Sequence, residues 1–491
     1  MTNVAGFLDR AAHDHGSRPA VRDRTGTWTW AELDRASRLA AHRLKERGIG
    51  PGQRVLSTLA ADRGFFALLF GVLRVGATLI PAGEATSDYE LAWLLTDAEP
   101  AVLVASPDRP ALPEASKIPV TRLSELLTGL DHRDAVRFPD AVAPDTHALL
   151  LYTSGSTGRP KGVVCRHDAV AFAAEAIASR LRYQQGDVVW NRLPVSFDYG
   201  LYQIFLCALA GAELVLPAAE LSASELVSVR DAGATVVPLV PTLAALLARL
   251  AERDRRPTAV RMFSNTGAAL AAPAARRLRS AFPGTALVQM YGMTECKRVT
   301  IADPDEDLVY PGAVGRALPG TRLFVVDEEG RPLSAGNTGQ IVAAGPHVMS
   351  GYWRSPAATA ERFGTAPDGA GPAVFTGDRG YLDTEGRLYW TGRDDDIFKR
   401  RGRRTSVQEV ESAMLDIAEV EAAAVLPPGP DEVLTVWAVT TLEPKQVLRS
   451  VAVRLGAART PDRCVVVAEL PRTAHGKVDR AALRASLAAA R

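Results

Sequence analysis

The sequence reads as an α/β protein with two domains. A large N-terminal domain of layered α/β subdomains carries a β-barrel-like subdomain, and a small α+β domain follows. Three observations point there. Short apolar strands alternate with amphipathic helices over two long stretches. Between about residues 312 and 390 that alternation gives way to short β-rich pieces punctuated by Gly and Pro. A chain of 491 residues is also too long for one ordinary core.

The first strongly periodic segment is 30–47. Leu33, Ala36, Ala40 and Leu44 share a face, charges occupy the other, and Gly48 stands where a helix would stop. Gly50, Pro51 and Gly52 turn the chain into a strand at 54–59. A helix at 64–75, a strand at 77–81, a helix at 89–96 and a strand at 101–105 continue the alternation. It resumes from 148 to about 300, with strands at 212–216 and 235–239. In the β-rich region, strands are expected at 322–327, 340–344 and 387–390. The last unit begins at the charged segment 393–404, so the domains are drawn as 1–394 and 395–491. It should contain a helix at 407–417, strands at 420–426 and 433–442, a helix at 445–455, a strand at 464–470 and a helical tail. No internal repeat is visible.

Composition removes several function classes. An apolar share of 47% with 23% charged residues fits a soluble globular protein. A net charge of +1 gives no electrostatic reason to expect nucleic acid or a membrane surface. The one local exception is the basic run from Lys399 to Arg404. The four cysteines, Cys165, Cys207, Cys296 and Cys464, are scattered without a CxxC pair, which argues against a zinc site and fits a reducing cytoplasm. The first ten residues lack the apolar run of a signal peptide. The greasiest uncharged stretch, 232–248, is broken by Gly233, Pro238 and Pro241, so no membrane span is expected.

The most informative stretch is 149–164. An apolar strand runs into Thr153, Ser154, Gly155, Ser156, Thr157 and Gly158, and Lys161 precedes another apolar run. Glycines let backbone N–H groups approach phosphate oxygens, hydroxyls add donors without bulk, and the lysine can sit over a polyphosphate. Pro160 and Gly162 stand where a Walker loop needs Gly and Ser or Thr, so it is a phosphate loop of another kind.

The string from Tyr152 to Gly162 closely resembles the signature of the adenylate-forming superfamily: acyl-CoA synthetases, adenylation domains of non-ribosomal peptide synthetases, and luciferases. Further motifs in the family's order extend the resemblance from about residue 5 to 490. Residues 289–295 resemble its Tyr-Gly-x-Thr-Glu motif. There Tyr291 offers a stacking plane for adenine beside Gly292, Thr294 donates to the α-phosphate, and Glu295 holds Mg2+, a hard cation that prefers oxygen. The loop with Asn265 and Gly267 matches one near the adenine and the acyl pocket. Residues 375–381 resemble the Thr-Gly-Asp motif, in which Asp378 accepts both ribose hydroxyls, a vicinal diol suiting two acceptor oxygens. Arg393 is the second nucleotide contact, Asp395 the hinge, and Gly402 the residue turned to the site for the thiol step. Thr405 stands where the family usually has isoleucine. Residues 471–480 resemble the motif whose lysine, here Lys477, bridges the substrate carboxylate and the α-phosphate.

The resemblance implies ATP-dependent activation of a carboxylic acid to an acyl-AMP, with pyrophosphate release. A mobile small domain then turns about its hinge and admits a thiol, from CoA or a phosphopantetheinyl carrier protein. No carrier segment follows Arg480 in the sequence, so a carrier is expected to act in trans. Residues 193–202 match the acyl pocket. In amino-acid-activating members an aspartate after phenylalanine pairs with the substrate ammonium, and Asp198 falls there; in other members it is structural, bonded to backbone. Both readings stand at this point. Tyr199 and Tyr202 narrow the pocket toward a small or medium acid. The alternatives are a ligase passing the activated acid to an amine or other non-thiol nucleophile, and a nucleotide-binding relative without chemistry.

Overall fold

The computed structural model describes residues 3–84, 86–106, 118–128, 142–153, 160–217, 224–393, 397–400, 403–428, 433–456, 459–473 and 478–489. Helix Trp30–Glu46 shows how local chemistry sets the elements. Thr29 and Glu32 form a reciprocal capping box at its start. Leu33, Ala40 and Leu44 are buried, and Gly48 beyond the end takes a φ of 75°. Helix Arg63–Arg74 is capped by Asp62, whose carboxylate accepts from the Phe65 amide at 2.7 Å. It is apolar nearly all round because it is buried between layers.

A first sheet of six strands runs Val120–Arg122, Val102–Ala105, Arg54–Ser57, Thr78–Pro81, His147–Thr153, Lys161–Arg166. Its first five strands are parallel, and the last pairs antiparallel with its neighbour. A second sheet places Pro19–Asp23, Glu213–Val215, Val188–Trp190, Val236–Leu239, Met262–Asn265 and Ala286–Tyr291 side by side in parallel. The antiparallel strands expected after residue 312 are there. They run on from the Ala286–Tyr291 edge through Thr300–Ile301 and Ala313–Ala317 to Arg387–Arg393, Pro372–Leu382, Gly339–Ala344 and Arg322–Val326. The apolar stretch 232–248 becomes strand Val236–Leu239 and the start of helix Pro241–Arg253, with Pro241 in the first turn where its missing N–H costs nothing. Among the described residues no helix is long and apolar enough to cross a membrane.

The last unit has its own core of Val410, Met414, Val425, Val436, Val447 and Val451. Strands Val420–Leu426, Thr435–Thr440 and Arg463–Val466 form its sheet, packed by helices Val407–Leu415 and Pro444–Leu455. It meets the larger domain through exposed ion pairs, Arg276 to Asp416 at 3.0 Å and Arg249 to Glu421 at 3.1 Å. The boundary expected between 394 and 395 lies outside the described residues.

Candidate active site

The candidate residues gather where parallel strands end, the place where open α/β sheets bind ligands. Thr153 closes one strand of the first sheet and pairs in register with Lys161, which opens the next. The hydroxyl and glycine loop therefore joins two paired antiparallel strands. Ser154, Gly155, Ser156, Thr157 and Gly158 themselves lie outside the described residues, as do Asp395, Gly402 and Lys477. The Lys161 ammonium stands 5.3 Å over the ring of Tyr352. The Tyr352 hydroxyl donates to Glu295 Oε1 at 2.6 Å. Backbone bonds from Trp353 to Gly162 and from Met349 to Glu295 strap this segment across both motifs. Glu295 and Lys161 are thus both set against Tyr352.

Asn265 ends strand Met262–Asn265, and Tyr291 ends its parallel neighbour. The Tyr291 hydroxyl donates to Asp378 Oδ2 at 2.6 Å, and Arg393 Nε donates to Asp378 Oδ1 at 3.0 Å. Burial, then the neighbouring Asp378 carboxylate, push the Tyr291 phenol well above its ordinary pKa, so it stays a donor. A carboxylate has about four acceptor positions, so Asp378 keeps capacity for a diol after these two bonds. Asn265 donates to the Ala268 carbonyl at 3.1 Å, whereas its Oδ1 and the Thr266 hydroxyl are buried without a protein partner among the described residues. Gly267 beside them takes a φ of 83°. Orphaned polar atoms at the end of a sheet are what a bound polar ligand would satisfy.

The acid-pocket candidates lie on helix Asp198–Ala210. Gly200 permits its tight start, since a Cβ there would meet the Pro194 carbonyl oxygen at 2.5 Å. The Tyr199 hydroxyl bonds the Ser264 carbonyl at 2.7 Å, and burial raises its pKa. Among the described residues the Asp198 carboxylate pairs with Arg298, whose Nη1 donates to Oδ2 at 3.1 Å. Their side chains are only 3% and 5% exposed, so the pair is sealed from solvent. Next to it Lys297 is wholly buried, donating to the Thr294 carbonyl at 3.1 Å and Cys165 Sγ at 3.3 Å. Its backbone sits at φ 61°, an uncommon conformation for a residue with a Cβ. Gly292 makes room for this fold-back, since a Cβ there would lie 2.0 Å from the Lys297 carbonyl oxygen. One loop, 291–298, therefore ties the Asp378 cluster, the Glu295–Tyr352–Lys161 chain and the acid pocket together.

This geometry agrees with the comparisons. The family model described as "AMP-binding enzyme" matches residues 8–353, and that of the AMP-binding enzyme C-terminal domain matches 409–477. The chain belongs to the AMP-binding enzyme family. It is 31% identical to the AMB antimetabolite synthetase AmbB of Pseudomonas aeruginosa, over 95% of this chain and 37% of that protein. The chain thus spans about a third of that curated relative, and a smaller share of the next. VinN, solved with L-aspartate, is similar at 36% identity and a TM-score of 0.71, covering 79% of this chain and 98% of that one. MatB from Rhodopseudomonas palustris, solved with ATP, is similar at 29% identity and a TM-score of 0.85, covering 98% of both.

For an AMP-binding enzyme, the donor set suits Mg2+ on one count. Glu295 offers a single oriented carboxylate, and Mg2+ is commonly held by one or two carboxylates plus phosphate oxygens rather than an all-protein cage. Among the described residues no group of three metal-binding side chains is assembled elsewhere. Sequence reasoning missed Arg298, Lys297 and Tyr352. Two consecutive basic residues placed between apolar Cys296 and Val299, just after Glu295, were the available signal.

Proposed function

We propose that this chain is an ATP-dependent acid–thiol ligase. A small or medium carboxylic acid attacks the α-phosphorus of ATP through a carboxylate oxygen. The bond to the β-phosphate side breaks, pyrophosphate leaves, and an acyl-AMP remains. A thiol of CoA or of a phosphopantetheinyl carrier protein then attacks the acyl carbon, and AMP departs. The observation that carries this reading is the 291–298 loop, which joins a ribose-type carboxylate, a metal-type carboxylate and a closed acid pocket in one hub.

Asp378, held by Tyr291 and Arg393, accepts the ribose hydroxyls. Lys161 and the hydroxyl and glycine loop of residues 153–158 take the β- and γ-phosphates, and Thr294 the α-phosphate. Glu295 would hold Mg2+, which would supply charge neutralisation between carboxylate and triphosphate. Asn265, Tyr199 and Tyr202 bound the acid. L-aspartate, with which a relative was solved, is short, which supports a small acid. Asp395 is the hinge and Gly402 faces the thiol after rotation, in a chain divided at residues 394 and 395. All four cysteines are free and buried, which supports a role in a reducing cytoplasm.

Lys477 delivers its ammonium to the point where two anions meet. Lys477→Ala should abolish acid-dependent ATP–pyrophosphate exchange while sparing thioester formation from supplied acyl-AMP. Equal loss of both steps would contradict this role. Silence of the unaltered enzyme toward every acid would leave a nucleotide-binding protein without chemistry.

A further inference from the structure

Buried arginines in this protein usually spend their donors on carboxylates. Arg387, 5% exposed, reaches Glu306 with Nε, Asp383 with Nη1 and Glu385 with Nη2. Arg74, 4% exposed, reaches Asp9 with Nη1 and Asp34 with Nη2. Arg298 is as buried as Arg387 and does neither. Its Nη1 makes a single contact with Asp198 and another with the Lys297 carbonyl, and its Nε is buried without a partner among the described residues. A guanidinium presents a rigid fork suited to a carboxylate, and this edge of the fork is unused. The Arg298 guanidinium lies 4.7 Å from the centre of the Tyr199 ring, which fixes its plane.

The surroundings share this surplus. Among the described residues, Arg298 is the one charged side chain in the wall of a small cavity otherwise formed by residues such as Ile177, Leu181, Tyr202, Leu206 and Met290. The Tyr202 hydroxyl is also buried without a partner among the described residues. Lys297, whose ammonium lies 5.6 Å from the Tyr202 ring, bonds only a carbonyl and a sulfur among the described residues. Burial keeps that Cys165 thiol neutral by raising its pKa. Arg298 thus makes one contact with a carboxylate and Lys297 bonds none among the described residues, and unpaired buried charge is costly unless a ligand completes it.

We infer that the acid activated here carries a second carboxylate, which seats on the unused edge of Arg298 and accepts from the Tyr202 hydroxyl. The inference rests on the ligase reading above and deepens it: the substrate is a small dicarboxylic acid, one carboxylate reacting and the other anchored. Asp198 holds the guanidinium in place. An amino group beside the anchored carboxylate would meet that same Asp198, so plain and amino dicarboxylic acids are two sources of one recognition chemistry.

The test compares succinic, malonic and aspartic acids with butyric acid and alanine, in pyrophosphate exchange and in calorimetric binding to the full chain with a non-hydrolysable ATP analogue. Dicarboxylic acids should exceed butyric acid and alanine by about 100-fold in kcat/KM, because a site built for a polar group rejects ligands lacking it. Arg298→Gln should erase that preference and Arg298→Lys should keep some of it, with thermal melting confirming both fold; Tyr202→Phe, a gentler change, should lower the preference about tenfold. Aspartic acid ahead of succinic acid assigns Asp198 to the ammonium, and parity assigns it to Arg298 alone; both support the inference. Preference for butyric acid or alanine overturns it, as does an unchanged preference in the folded variants. Arginine-dependent binding of dicarboxylic acids without any exchange would uphold it and reject the ligase reading. No binding of any dicarboxylic acid would overturn it.

Discussion

At the scale of single residues, the motifs picked out candidate side chains, and their partners stayed hidden. Glu295 stood out from its place after Tyr291 and Thr294, yet Tyr352, which orients it, is 57 positions away in sequence. That phenol lies between the Lys161 ammonium and the Glu295 carboxylate. Burial, and next the Glu295 charge, raise the Tyr352 pKa, so it donates at any working pH. Tyr352→Phe should therefore lower kcat for pyrophosphate exchange about tenfold, the worth of one hydrogen bond to a charged group. It should also raise the Mg2+ concentration needed for half-maximal rate, leaving KM for the acid unchanged. An unaltered Mg2+ requirement would mean that Glu295 is held by other contacts. Arg298 was hidden for the same reason. It lies 100 positions from Asp198, and no local pattern reports a contact that only folding creates.

At the scale of elements, helix Trp30–Glu46 was legible to within a residue because its capping box and its period agree. The strand expected at 464–470 stops at Val466, where its ladder ends opposite Ala438, two residues before the parallel neighbour itself ends at Thr440. Apolar residues go on past that point, but a strand needs a ladder partner, which sequence texture does not reveal. The start of helix Asp198–Ala210 shows a further dependence. Gly200 faces the backbone oxygens of Pro194 and Leu193 at 2.5 and 2.6 Å from where a Cβ would be, and its own carbonyl accepts from Asn191. Backbone cannot yield as a flexible side chain can. Gly200→Ala should cost about 1–3 kcal/mol in urea unfolding, the usual cost of overpacking. It should also raise KM for the acid, because Asp198 and Tyr199 sit on the turn that must move. An unchanged unfolding midpoint would show that the turn relaxes freely.

At the scale of the whole molecule, separate cores meet at helix Val407–Leu415 and at exposed ion pairs, each worth at most about 1 kcal/mol. Stability must then come from within each domain, and in the large one a pair of buried histidines makes it depend on pH. His167 Nδ1 accepts the Val4 amide at 3.3 Å, which requires that nitrogen to be unprotonated. His347 is wholly buried with neither ring nitrogen partnered among the described residues. Burial lowers both pKa values from 6.5 to about 4. Above pH 6.5 folded and unfolded chains alike carry neutral rings, so neither histidine affects stability. As pH falls from 6.5 toward 4, the unfolded chain takes up protons that the folded one refuses, and stability falls by about 1.4 kcal/mol per pH unit for each ring. Carboxylates held low, such as Asp187, which Arg261 keeps ionised against its burial, lose their contribution only below about pH 4. Unfolding midpoints should therefore drop between pH 7 and pH 5, before the carboxylates held low titrate, and His347→Phe should remove part of that slope, with His147, whose pKa burial also lowers, adding to the rest. A flat profile over those two units would mean that the folded chain accepts these protons, against the burial of both rings.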